Sequence, residues 1–95
     1  MATIDITKSH ALSKDDAKKK AEELARSMEE KFSIVWRWDG DTIRFDAPSG
    51  KAKGTKGEVA VTDKSVRVAI DLPFILRVLK GTIEGKVNEK LDALI

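Results

Sequence analysis

Three places in the sequence carry residues that could do chemistry. The stretch Gly50-Lys51-Ala52-Lys53-Gly54-Thr55-Lys56-Gly57 has the composition of a phosphate-binding loop. Its spacing is wrong for one: Gly54 is followed by Thr55, not by the lysine that reaches the phosphates. It also runs into a predicted strand, so no helix N-terminus waits to receive an anion. It reads instead as a mobile, solvated connection whose Lys51, Lys53 and Lys56 could touch an anionic partner weakly. His10 is the sole histidine and there is no cysteine. One imidazole without thiolates does not make a zinc site, so no metal and no cofactor is expected. Ser9 and Ser13 flank it in sequence, but Ser13 is better used as a helix cap. The carboxylates fall on helix surfaces and in turns, and no pair is placed in a pocket for acid–base work. The expectation is a protein that is not an enzyme.

The third place is Ile34-Val35-Trp36-Arg37-Trp38-Asp39-Gly40-Asp41-Thr42-Ile43-Arg44-Phe45, where aromatic and basic residues interleave. Single-stranded nucleic acid needs aromatics and cations on one face. Asp39-Gly40 between two alternating runs predicts a tight hairpin. With those two residues as a type I′ turn, Trp38 faces Asp41, Trp36 faces Ile43 and Ile34 faces Phe45. These project from one side, and Val35, Arg37, Thr42 and Arg44 from the other. The tryptophans and arginines are thereby separated, and no nucleic acid is expected. Trp36 belongs in the core and Trp38 at its rim.

The elements that hold these residues follow from periodicity. Ala2 to Thr7 alternates as a short strand. Ser13 with Asp16 is a weak capping box, stapled by Leu12 and Ala17. A helix then presents Ala17, Ala21, Leu24, Ala25, Met28 and Phe32 as one stripe, with Lys18-Lys19-Lys20 on its solvated side and Asp15/Lys19 and Glu22/Arg26 as i, i+4 pairs. After the hairpin, Val59 and Val61 alternate against Val66, Val68 and Ile70. An Asp63-Lys64 turn puts Val61 opposite Val66, although the missing glycine also allows a longer loop. Arg37, Arg44, Glu58, Arg67 and Asp71 fall on the polar sheet face, as a solvated surface with cross-strand ion pairs. Asp71 also reads as a cap for a long final helix that begins near Pro73.

That helix places Leu72, Ile75, Leu76, Leu79, Ile83, Val87, Leu91 and Leu94 on a main apolar face. Phe74 and Val78 fall on a second one, with Gly81 and Gly85 near it. One sheet cannot cover both faces. The first helix, another subunit or an apolar surface must meet the second. The order is β-α-β-β-β-β-α: an α+β fold with a curved, mainly antiparallel sheet and two helices on one face.

Ninety-five residues make one domain, 1–95, with a thin core. Charged residues are 36% of the chain, yet the net charge is only +2, too little to draw nucleic acid by itself. The start MATIDITKSH has no signal-peptide apolar run, and Leu72 to Leu76 is far too short for membrane insertion. Together with the absence of cysteine, this predicts a cytoplasmic protein.

MATIDI, WRWDGDTIRF and VRVAIDLPFILRVLKGTIEGKV together resemble the polyhydroxyalkanoic acid system family. Its members are small bacterial proteins often encoded near genes for polyhydroxyalkanoate synthesis and granule proteins. The resemblance brings no catalytic residues with it. It implies an accessory protein of polyester storage that binds a granule surface, granule proteins or a second copy of itself as a homodimer. Phe74, Val78, Gly81 and Gly85 are the candidate contact residues. The element order also resembles a shortened helix-grip fold. On that likeness the alternative is a small carrier for an apolar or hydroxyacyl ligand, held between sheet and last helix by Trp36, Phe45, Val68 and Leu79.

Overall fold

In the computed structural model, which describes residues 3–50 and 52–94, the chain runs β1 (Ile4–Ser9), α1 (Lys14–Phe32), β2 (Val35–Asp39), β3 (Thr42–Asp46), β4 (Lys56–Val61), β5 (Ser65–Asp71), a 3₁₀ segment (Phe74–Leu79) and α2 (Lys80–Leu94). The strands form one open antiparallel sheet in the order β1-β5-β4-β3-β2. This is the expected α+β class and element order. The part of the first strand assigned to Ala2 lies outside the described residues.

Alternation fixes which side of the sheet is covered. Ile4, Ile43, Phe45, Val59, Val61, Val66, Val68 and Ile70 are all buried in one cluster. α1 seals it with Ala17, Ala21, Leu24, Ala25 and Met28, and lies across β2, β3 and β4. Its alanines let the helix sit close, and Ser13 caps it by accepting from the Asp16 N–H at 3.2 Å. α2 takes the other end of the same face, beside β1, and buries Val87 and Leu91.

Both hairpins close by two-residue turns, each for its own reason. In β4–β5 the register is as expected, Val61 opposite Val66 and Val59 opposite Val68. No glycine is needed because the Thr62 hydroxyl accepts from the Lys64 and Ser65 N–H groups at 3.3 and 3.0 Å. His10 braces this turn. Its Nδ1 accepts from the Leu12 N–H at 3.1 Å, which leaves Nε2–H to donate to the Thr62 carbonyl at 2.9 Å.

In β2–β3 the turn slides by one residue from the expected place. Gly40-Asp41 form the loop, so Trp36 opposes Phe45 and Trp38 opposes Ile43. Gly40 has φ +64° while Asp41 keeps a negative φ, the pattern of a type II′ turn instead of I′. The slide preserves parity, so every side chain keeps its predicted face. β2 is an edge strand, however, and Trp36 is half-buried beside α1, not in the core.

The connection from β3 to β4 is folded inward, where a mobile solvated segment was expected. Ala47, Ala52 and Thr55 are buried, and backbone bonds Ala47 N–H to Thr55 and Gly54 N–H to Ala47 close it at 2.9 Å each. Gly50 and Gly54, at φ +82° and +92°, supply the reversals. Lys53 and Lys56 remain exposed; Lys51 lies outside the described residues.

Candidate interaction surface

The two ends of the structure differ in how their apolar residues are used. At the α1 end, both tryptophans and several charged groups are engaged. Trp36 Nε1–H donates to Glu29 at 2.6 Å and Trp38 Nε1–H to Glu22 at 3.0 Å. Lys18 Nζ stands 4.8 Å from the Trp38 ring centroid and, with Lys14, pairs with Asp41 in the turn. Lys18 is therefore held to the hairpin and is not part of a freely solvated lysine run. Of the expected helix pairs, Glu22–Arg26 forms at 3.2 Å. On the polar sheet face Arg67 grips Asp5 with bonds of 2.9 and 2.6 Å, and Arg44 bridges Asp39 and Glu58.

These contacts set an acid dependence. The Lys14 and Lys18 ammonium groups hold Asp41 below the usual carboxylate range, Arg67 does the same for Asp5, and the Trp38 indole with Arg26 does so for Glu22. A carboxyl with a lowered folded-state pKa stabilises the fold above its unfolded value. That stability is lost as pH falls through the folded one. The urea midpoint is expected to drop as pH falls below about 4. The drop should be shallower in Asp5→Asn with Asp41→Asn, and weaker in high salt because these groups are exposed. An unchanged acid limb in the double variant would show that the pairs contribute nothing.

The opposite end leaves apolar groups in water. After β5, Leu72 is buried and Pro73 is extended, with no N–H to offer. The chain then enters a 3₁₀ turn, with the Leu76 N–H bonded to the Pro73 carbonyl at 2.9 Å. Asp71 does not cap it; Asp71 ends β5, and Pro73 occupies the cap position without a side-chain bond. A 3₁₀ helix repeats every three residues, so 73, 76 and 79 form the row nearest the core. Leu76 is half-buried and Leu79 is 46% exposed. The other positions stand clear: Phe74 86%, Ile75 77% and Val78 87% exposed. The α-helical wheel had assigned Ile75 to the core face, and the tighter winding turns it out.

Phe74 and Val78 thus share an exposed apolar projection with Ile75. Arg77 and Lys80, both exposed, flank them. Gly81 and Gly85 continue it along α2 with nothing within 4 Å of where a Cβ would sit. Within the chain they permit no close approach of another element. Gly85→Ala is accordingly expected to raise stability by about 0.5–1 kcal/mol through helix propensity, read as a higher thermal midpoint. A lower midpoint would mean that the glycine is needed for packing against another molecule.

Of the four residues of the carrier reading, only Trp36 and Phe45 are neighbours, paired across β2 and β3, and the four do not line one cavity. Val68 is fully buried and Trp36 is half-buried beside α1, while Leu79 ends the 3₁₀ segment, 46% exposed. Only Phe45 reaches the apolar crevice between the sheet, the end of α1 and α2, whose volume is about 30 Å³. The crevice lies where the carrier reading places a ligand, between sheet and last helix, but most of its lining differs, and Ala52 and Thr55 in its wall come from the segment read as a loose loop. Among the described residues no helix is long and apolar enough to cross a membrane, and no three His, Asp or Glu side chains converge as a metal set.

The family model for polyhydroxyalkanoic acid system proteins matches residues 4–95, nearly the whole chain. The chain belongs to this family. Comparison with curated proteins and with solved structures gives no match. In this polyhydroxyalkanoic acid system protein, the matched span takes in the exposed segment from Phe74 to Leu79 and both glycines of α2.

Proposed function

We propose that this protein is a non-enzymatic accessory factor of polyester storage that attaches, in the cytoplasm, to the surface of polyhydroxyalkanoate granules. The observation that carries the reading is the 3₁₀ segment, with Phe74 and Val78 more than four-fifths exposed at its crest. A six-residue turn of this kind offers a few hundred Å² of apolar surface at most. That is short of the roughly 800 Å² per partner of a standard protein interface. It suits insertion of a few side chains into an apolar boundary, with the flanking Arg77 and Lys80 keeping their charges in water. The family's name, that of a polyhydroxyalkanoic acid system protein, supports a storage polymer as that boundary.

The test uses a fluorescent fusion in polymer-accumulating cells, and co-sedimentation of the purified protein with bare polyhydroxyalkanoate particles. Granule-localised signal and binding to bare polymer are expected, and both should be lost in Phe74→Ser with Val78→Ser. Those variants should keep the wild-type melting curve, since neither side chain is buried. Diffuse fluorescence with granules present overturns the reading. So does a homodimer in solution that the same variants dissolve, because the projection is then a subunit contact.

A further inference from the structure

β2 ends the sheet on one side and is paired only to β3. Its hydrogen-bonding parity follows from the next ladder. The Val61 N–H donates to the Asp41 carbonyl at 3.0 Å, so Asp41, Ile43 and Phe45 turn their backbone groups toward β4. Thr42, Arg44 and Asp46 turn theirs toward β2, where they meet Asp39, Arg37 and Val35. The backbone N–H and C=O groups of Trp36 and Trp38 therefore point out of the open edge. The opposite edge, β1, carries Lys8, tied to Asp92 of α2 at 3.1 Å, and a lysine there blunts an edge. β2 holds no lysine, proline or bulge.

The charges on the outward face of β2 are not balanced within the chain. Arg37 lies directly across from Arg44, a like-charge pairing that is destabilising. Arg44 is met by Asp39 and Glu58. Arg37 is exposed and, among the described residues, forms no ion pair. Asp39 gives only its Oδ2 to Arg44.

We propose that two copies of the chain join β2 to β2, antiparallel about a two-fold axis at Trp38, into one continuous sheet. This register sets Arg37 against Asp39 of the second copy, twice by symmetry. An axis at Arg37 would put the two arginines together. An axis at Trp36 would bring Asp39 and Gly40 of the second copy onto Phe32 and Ser33. The β3–β4 connection already packs there: a Cβ on Gly50 would stand 3.3 Å from Ser33 Cβ. With the axis at Trp38, Trp36 of one copy comes opposite Gly40 of the other. Gly40 borders an open depression of about 230 Å³ shared with Lys18, Lys19, Glu22 and Trp38. Nothing lies within 4 Å of where a Gly40 side chain would begin, so the indole has room.

Analytical ultracentrifugation over a wide concentration range, with amide exchange followed by NMR, tests the pairing. A monomer–dimer equilibrium is expected, and the backbone amides of Trp36 and Trp38 should exchange more slowly in the dimer. Arg37→Asp sets carboxylate against carboxylate, and Asp39→Arg sets guanidinium against guanidinium. Each should weaken dimerisation about tenfold or more. An equal mixture of the two variants should recover wild-type affinity, because two carboxylates of one chain then face two guanidinium groups of the other. Both side chains are exposed, so each variant should melt close to wild type. A monomer at every concentration, as expected if β2 awaits a strand from another protein, overturns the proposal. So does a dimer that ignores both charge reversals, or one that Phe74→Ser with Val78→Ser dissolves. Should a variant not fold, the wild type still decides: Trp36 and Trp38 amides that exchange alike in monomer and dimer overturn the pairing. The β2 edge and the 3₁₀ projection are different surfaces, so granule attachment can fail while this dimer stands.

Discussion

Gly57→Ala is expected to be among the most damaging single substitutions in this protein, costing about 3 kcal/mol as an overpacked, near-central strand position. Gly57 pairs with Phe45 across β3 and β4, and the Phe45 ring lies over it. An added Cβ would stand 2.5 Å from Phe45 Cζ and 2.6 Å from the Ala69 carbonyl oxygen. The first neighbour is a ring only 5% exposed, the second is backbone of β5, and neither can give way freely. The phenylalanine stacked on glycine is how β4 lets a large side chain cross a narrow part of the core. Chemical denaturation of Gly57→Ala, Phe45→Leu and the double variant checks this. The two changes should couple, with the double variant more stable than the sum of the singles predicts. Rescue should be partial because the Ala69 contact remains. Strict additivity would show that the ring and the glycine are energetically independent.

Leu91→Ala is expected to cost about 3 kcal/mol, within the range for large-to-small changes in a core. Its effect should be regional. α2 buries only Val87 and Leu91, at 3% and 1% exposure, and Lys8–Asp92 at 3.1 Å is its ion pair to β1. Removing one of two anchors should let α2 open while α1 and the sheet stay closed. Hydrogen exchange should then accelerate along Lys80–Leu94 and less so in β3–β5. Leu79→Ala is the control: at 46% exposure it should cost well under 1 kcal/mol. Uniform acceleration across the whole chain would mean that α2 is part of one cooperative unit.

Much of the fold can be read from the chain because its signals are local. Alternation in Val59–Val61 and Val66–Ile70 gave both the strands and their register, and the spacing of Ala17, Ala21, Leu24, Ala25 and Met28 gave the buried stripe of α1. The facing of Trp36 and Arg37 survived a displaced turn, because a slide that preserves parity leaves side chains on their faces. The readings that failed depended on distant partners. The stretch between β3 and β4 has loop composition, and only the folded chain places Ala52 and Thr55 beside Met28, Phe45, Ile70 and Val87, where both are buried. The 3₁₀ winding of 74–79 was not visible either, since apolar residues in a row fit α and 3₁₀ periods alike over two turns.

The candidate surface divides in the same way. That Phe74 and Val78 lie off the main helical face follows from the sequence, and both fall within the span matched by the family model. That nothing among the described residues covers them follows only from the tertiary structure, where α1 packs on β2–β4 and α2. The sequence alone determined the element order, the buried face of each strand and the family. Tertiary structure decided which apolar residues are left in water and which buried side-chain polar atoms, Thr55 Oγ1 and Asn88 Oδ1 among the described residues, are left without a partner. The physical reason is that periodicity depends on neighbours a few residues away, whereas exposure and hydrogen-bond satisfaction depend on whatever the folded chain brings alongside.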